Sequence, residues 1–119
     1  MTKVWMLVVS MAFFLLTFQV SANSHISGVW KHPEKPALIE FDLKSGLATV
    51  KQHDNNQSAN GLTVIKDIKS IPETTHVWSG NMYNGYLDSY VVVTIKLIDD
   101  STIVVIDSKE NEVLRLVRE

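Results

Sequence analysis

The sequence predicts an all-β protein: a single small antiparallel meander of about eight short strands, closed into a barrel or a strongly curled sheet. Three observations lead to this prediction. Apolar and polar residues alternate with period two in most segments after residue 28. Turn-forming residues separate these segments at short intervals. No segment after residue 28 combines helical apolar spacing with helix caps. Closure is favoured because it removes the exposed strand edges that a β-rich protein must otherwise protect.

The beginning of the chain has a different pattern. Lys3 precedes an apolar run from Val4 to Phe18, and small residues follow up to Ala22. This pattern is typical of a signal peptide that is cleaved between Ala22 and Asn23. The alternative interpretation is a membrane anchor. The run is shorter than the roughly 20 residues that span a bilayer, and no cluster of Lys and Arg follows it.

We therefore expect a helical signal peptide over residues 1–22 and a single β-barrel domain over residues 23–119. The mature protein is expected to be periplasmic or secreted from a bacterium, and to contact a membrane only through the signal peptide before cleavage. Removing Lys3 with the signal peptide leaves 10 basic and 13 acidic residues. This balance argues against nucleic-acid binding, which needs clustered Lys and Arg. The chain has no cysteine, which excludes disulfides, thiol catalysis and thiolate metal sites.

The first three predicted strands are residues 28–32, 37–43 and 47–53. Gly28 allows a tight entry into the first strand, which carries Trp30. In the second strand, apolar Ile39 and Phe41 alternate with acidic residues. Gly46 lies in the turn that follows, so the third strand is predicted to return beside the second as a hairpin. A polar segment over residues 54–61 is predicted to be a loop.

The remaining predicted strands are residues 62–71, 76–83, 90–98, 102–106 and 113–118. The pattern is strongest over residues 90–98, where Val and Ile dominate and one face is continuously apolar. Residues 84–88 form a predicted loop before this strand. The sequence Asp99-Asp100-Ser101 predicts a tight turn after it, because Asp side chains hydrogen-bond nearby backbone. Residues 108–111 predict the last turn.

No pattern predicts catalysis or a cofactor. The four histidines have no short metal-ligand spacing; they are His25, His32, His53 and His76. The sequence contains no Gly-x-Ser-x-Gly motif, no glycine-rich phosphate loop and no paired-carboxylate motif with a partner residue. We therefore expect a protein that is not an enzyme and that has neither a metal site nor a cofactor.

One segment has the composition of a binding surface. Within thirteen residues it contains four aromatic residues interleaved with Asn, Gly and Asp; the candidates are Trp78, Tyr83, Tyr86 and Tyr90. Amphipathic aromatic side chains on such a segment bind a ligand or partner at low entropic cost. The alternative is that Trp78 packs in the core and the tyrosines are ordinary strand residues beside a hairpin.

Several short motifs occur in an order that resembles the bacterial exported family DUF2147. They are Gly28-Val29-Trp30, Ile39-Glu40-Phe41, Gly46, residues 61–65, residues 78–83 and Leu116-Val117-Arg118. The resemblance implies a small β-barrel with a lipocalin-like look and no assigned activity. Many members have a longer middle segment with a cysteine pair. Here residues 54–61 take that place without cysteine, so the chain would be a short, divergent member.

The resemblance to lipocalin-like barrels implies a structural role for Gly28, Trp30 and Arg118. In such barrels an Arg on the last strand lies over the indole of the opening strand and helps to close the barrel. Arg118 shares the parity of the apolar Leu114 and Leu116, so it is predicted to reach Trp30. The alternative is an ordinary core Trp with Arg118 frayed at the terminus.

Two functions remain open. The first is binding of a small apolar or amphipathic ligand in the barrel mouth. The alternative is a periplasmic protein-interaction or inhibitor module that acts through residues 78–90. Small exported barrels that inhibit lysozyme use a Ser-Gly-x-x-Tyr loop, which Ser79-Gly80-Asn81-Met82-Tyr83 resembles loosely. A lined pocket would favour the first function; a filled interior with exposed Tyr83 and Tyr86 would favour the second.

Overall fold

In the computed structural model, the described residues, 26–119, form eight antiparallel strands. They are β1 (Gly28–Lys31), β2 (Ala37–Asp42), β3 (Leu47–His53), β4 (Thr63–Ser70), β5 (Val77–Asn84), β6 (Ser89–Asp99), β7 (Thr102–Asp107) and β8 (Glu112–Arg118). Each strand pairs with the next, and β8 pairs with β1, so the sheet is a closed barrel. A 3-10 turn, Gln57–Ala59, is the one helical segment in this part of the chain.

The predicted fold class is confirmed. Every predicted strand is present, and no boundary differs from the prediction by more than one residue. The predicted loop over residues 54–61 differs in detail because it contains the 3-10 turn. No helix within residues 26–119 is long and apolar enough to cross a membrane. The predicted helical signal peptide, with its cleavage site at Ala22 and Asn23, lies outside the described residues.

Short polar side chains close the turns after β6 and β7. The Asp99 carboxylate accepts a hydrogen bond from the backbone N–H of Ser101 at 2.8 Å. The Asp107 carboxylate accepts two, from the N–H groups of Lys109 and Asn111, each at 2.9 Å. The bond from Asn111 is the main reason that the pKa of Asp107 lies below its ordinary value. These contacts span four residues or fewer, which explains why local sequence predicts the strand ends.

The interior of the barrel is filled with apolar side chains from every strand. Alternation along each strand directs one set of residues inward, as in β2, where Ala37, Ile39 and Phe41 are buried. The largest fully buried side chains of strand residues are Trp30, Phe41, Ile65, Ile95, Ile103, Leu116, Val93 and Val105. An eight-stranded barrel is just wide enough for its own side chains to fill it. The described interior therefore consists of protein atoms packed against each other.

Trp30 closes the barrel, as predicted. It lies opposite Arg118 where β1 pairs with β8, and the guanidinium carbon is 4.2 Å from the indole ring centroid. The indole N–H donates to the carbonyl of Ile26 at 2.9 Å, which satisfies the one polar atom of a fully buried side chain. Gly28 enters β1 with a φ of 120°, a backbone conformation that glycine adopts without strain.

The meander gives the barrel two distinct ends. We call the end at which β1 begins the amino end; it also contains the loops after β2, β4 and β6. The opposite end, which we call the far end, contains the loops after β1, β3, β5 and β7. Each end presents its own set of side chains to a ligand or partner.

Candidate functional site

The four aromatic residues predicted as one surface lie in two places. Trp78 is at the amino end of β5 and is only 6% exposed, because it points into the barrel with Gly80 and Met82. Tyr83 is at the far end of the same strand and is exposed on the outer face. An odd separation of five residues puts the two side chains on opposite faces of a strand. The grouping of Trp78 with the tyrosines is therefore corrected: Trp78 belongs to the core.

The three tyrosines are all exposed at the far end of the β5–β6 hairpin. We call them, together with two exposed neighbours, the tyrosine surface, which consists of Tyr83, Tyr86, Leu87, Tyr90 and Val92. Tyr83 and Tyr90 are opposite each other in the β5–β6 pair, with ring centroids 5.7 Å apart and an interplanar angle of 69°. Leu87 and Val92 were not among the residues predicted for this surface. Leu87 is an apolar residue inside a predicted loop. Val92 alternates with the inward-facing residues of its strand. The sequence therefore contained a signal for the exposure of both residues.

The loop that carries Tyr86 and Leu87 is fixed at its base. The side-chain oxygen of Asn84 accepts hydrogen bonds from the backbone N–H groups of Tyr86 and Leu87, at 2.9 and 3.3 Å. The Tyr83 hydroxyl donates to the Asp88 carboxylate at 2.7 Å. This hydrogen bond is the main reason that the pKa of Tyr83 is raised above its ordinary value. These hydrogen bonds order the base of the loop.

A lysine completes the base of the tyrosine surface. The Lys66 ammonium on β4 lies 4.2 Å from the centroid of the Tyr90 ring. Asn81, opposite Lys66 in the β4–β5 pair, donates to the Asp67 carboxylate at 3.0 Å. A cation over an aromatic face is attractive even at an exposed site. The Lys66 contact holds the Tyr90 ring against the sheet. Tyr86 and Leu87 at the loop tip protrude beyond it.

The resemblance of residues 79–83 to an inhibitor loop does not extend to its conformation. Ser79, Gly80 and Tyr83 all lie within β5, and Gly80 is buried in the barrel wall. The exposed loop at the far end of this hairpin is residues 85–88 instead. A strand in the wall of a closed barrel cannot enter a cleft as a loop does, because both neighbours hold its backbone.

A second candidate site is an open depression of about 590 Å³ at the amino end. It lies between the end of β4, the loop over residues 71–76, the start of β5 and Leu43 from the β2–β3 turn. Ile68 and Trp78 are buried residues among those that line it. Its volume is within the range of small-molecule sites in proteins.

Two histidines among the described residues accept hydrogen bonds from nearby backbone. His32 Nδ1 accepts hydrogen bonds from the backbone N–H groups of Glu34 and Lys35, at 3.1 and 3.2 Å. His53 Nδ1 accepts one from the N–H of Asn55 at 3.3 Å. Within residues 26–119, no group of three or more His, Cys, Asp or Glu side chains is arranged to hold a metal ion.

Comparisons with known proteins do not assign the chain. It matches no protein-family model, no curated protein and no solved structure. The tyrosine surface and the amino-end depression are its two candidate sites.

Proposed function

We propose that the protein is a binding module that inserts the loop over residues 85–88 into an apolar cleft of another exported protein. One observation carries this proposal: Tyr86 is fully exposed and Leu87 is 65% exposed at the tip of a loop whose base is held by hydrogen bonds. Several large apolar side chains exposed within one short hairpin favour an interaction site.

The physical properties of the loop suit this role. Tyr has few rotatable bonds, so it loses little entropy when it is buried in an interface. The Asn84 and Asp88 contacts order the loop before binding, which lowers the entropic cost of association. A protruding apolar tip fits a concave apolar partner rather than a flat charged one. Tyr residues at the centre of such interfaces commonly contribute most of the binding energy.

The packed interior bears on where a ligand could bind if the first of the two predicted functions, ligand binding in the barrel mouth, were correct. A ligand inside the barrel would have to displace fully buried residues such as Trp30 and Phe41. Displacement would cost the packing that stabilises a domain without disulfides. We propose a non-catalytic role on the sequence alone, which contains no Gly-x-Ser-x-Gly motif and no glycine-rich phosphate loop.

Site-specific crosslinking tests the proposal. A photo-crosslinking phenylalanine analogue placed at position 86, in the cells that produce the protein, should give one adduct with a defined exported protein. The same analogue at position 98 is the control, because Ile98 is also an exposed apolar residue but lies at the other end of β6. Equal adducts from both positions, or none from position 86, would contradict the proposal.

The partner identified in this way allows a quantitative test. Leu87→Asp should weaken binding at least tenfold, because a charge would enter the apolar cleft without a counter-charge. Ile98→Asp should change the Kd less than twofold. Both substitutions are at exposed positions and should leave the melting temperature nearly unchanged. An unchanged Kd for Leu87→Asp would exclude the loop as the contact.

We also propose that the protein is exported to the periplasm or secreted, on the pattern of residues 1–22, and that it is related to DUF2147 on the order of its motifs. The mature protein is expected to begin with Asn23. N-terminal sequencing of the protein released by osmotic shock should read Asn-Ser-His-Ile. Recovery of chains that retain Met1 in the membrane fraction would instead indicate an uncleaved anchor.

A further inference from the structure

The polar loop after β3 contains an acceptor motif for N-linked glycosylation. Residues 56–58 are Asn-Gln-Ser, an Asn-x-Ser sequence whose middle residue is not proline. No other asparagine of the chain is followed two residues later by Ser or Thr. In an exported protein this motif marks an asparagine whose side-chain nitrogen receives an oligosaccharide, provided that it lies on a surface loop.

The structure places the motif on such a loop. All three of its residues are exposed, between the end of β3 and the start of β4. Asn56 directly precedes the 3-10 turn Gln57–Ala59, and its backbone carbonyl accepts a hydrogen bond from the N–H of Ala59 at 3.1 Å. Asn56 takes no part in the packed core. A sugar attached to its side chain would therefore extend into solvent and displace no buried residue.

The two side chains that define the motif contact each other. The Ser58 hydroxyl donates a hydrogen bond to Asn56 Oδ1 at 2.6 Å. The carboxamide of Asn56 is thus held by its oxygen, and its Nδ2 nitrogen, the atom that receives a sugar, lies on the other side of the group. No residue within 26–119 accepts a hydrogen bond from this nitrogen. The reactive atom is therefore accessible to an enzyme.

An acidic residue accompanies the motif. Asp54 lies two residues before Asn56 and is exposed, so the loop has the extended pattern Asp-x-Asn-x-Ser. The Asp54 carboxylate accepts a hydrogen bond from the Gln52 side chain at 2.7 Å, which orients it beside the loop. A carboxylate so close to the acceptor can pair with a cationic side chain of the transferring enzyme, and such charge-assisted contacts are strong.

We propose that Asn56 is an N-glycosylation site that accepts an oligosaccharide from a lipid-diphosphate donor. Asn56 Nδ2 forms a bond to the anomeric carbon of the first sugar and loses one proton. The anomeric C–O bond breaks, and the lipid diphosphate leaves with its electron pair. The site shares no residue with the tyrosine surface, so it goes beyond the proposed binding function. It rests on the proposed export, because the donor is used outside the cytoplasm.

Mass spectrometry tests the modification. The protein is isolated from the osmotic-shock fluid of the cells that produce it. We expect a mass that exceeds that of residues 23–119 by a whole number of sugar residues, and fragment spectra that locate the sugars on Asn56. An unmodified chain that begins with Asn23 would overturn this proposal and leave the proposed export intact. A chain that retains Met1 and has no sugar would overturn both.

Substitutions within the loop test whether the motif determines the modification. Asn56→Gln and Ser58→Ala should abolish it, whereas Ser58→Thr should retain it. Asp54→Asn should lower the glycosylated fraction about tenfold, since a contact to a charged group is lost. Asn55→Gln is the matched control, an exposed asparagine outside the motif, and should leave the fraction unchanged. All these positions are exposed, so no variant should unfold. Equal modification of Asn56→Gln and Asn55→Gln would overturn the proposal.

Discussion

Replacing Trp30 with alanine is expected to lower the free energy of unfolding by about 3–5 kcal/mol, the usual cost of truncating a large core aromatic. Trp30 is fully buried, and no other described residue has a larger side chain at that level of burial. Truncation also leaves the Ile26 carbonyl without its donor and removes the ring beneath Arg118. Urea denaturation monitored by circular dichroism measures the loss. Tyr86→Ala, at a fully exposed aromatic residue, should change the free energy of unfolding by less than about 0.5 kcal/mol.

A double-mutant cycle isolates the contact between Trp30 and Arg118. Arg118→Ala alone also removes a hydrogen bond from its Nε to the Asp100 carbonyl, at 2.9 Å. The stability lost in the Arg118→Ala variant is therefore larger than the contribution of the contact between the guanidinium and the Trp30 ring. The coupling energy with Trp30→Ala should be about 0.5–1 kcal/mol, as for a cation over an aromatic ring at a partly exposed site. Additive losses would show that the ring and the guanidinium contribute independently.

Gly80→Ala is expected to destabilise the barrel by about 1–3 kcal/mol, the cost of overpacking a well-packed site. A Cβ atom at Gly80 would lie 2.8 Å from Ile65 Cγ2 and 3.4 Å from the Lys66 carbonyl oxygen. Ile65 is fully buried and branched at Cβ, so it cannot rotate away freely. Thermal and urea denaturation of the variant measure the effect.

Two further variants distinguish a steric clash in the folded barrel from the general effect of replacing glycine on the conformational freedom of the chain. Gly85→Ala places its Cβ 3.8 Å from the nearest atom, a Tyr83 ring carbon, so it should be neutral or slightly stabilising. Ile65→Ala removes the atom that clashes, so the double variant should lose less stability than the two single losses added together. A strictly additive double variant would contradict the steric explanation.

Local sequence determined the strands to within one residue. Alternation along residues 37–42 sets the inward face of β2, and the Asp99 and Asp107 side chains end strands through bonds to backbone a few residues away. Alternation and turn hydrogen bonds involve residues close together in the chain, so strands can be predicted from them without knowledge of the tertiary packing. Parity also predicted that Arg118 faces Trp30, because alternation holds along the whole of β8.

The candidate sites were predicted less completely. Closeness in sequence grouped Trp78 with Tyr83, but a strand sends residues five apart to opposite faces and to opposite ends of the barrel. The amino-end depression had no sequence pattern at all. It exists because Leu43 from one hairpin meets Ile68 and Trp78 from another, and such contacts depend on how strands pair around the barrel.

The sequence by itself determined the all-β class, the eight strands and the residues that face inward, since period and turn chemistry are local properties. Only the tertiary structure decided that the sheet is a closed barrel and not a curled open sheet, that side chains fill the interior and that the loop at residues 85–88 protrudes with a fixed base. Those features arise from contacts between residues far apart in the chain, whose geometry follows from closure of the sheet and not from any one segment.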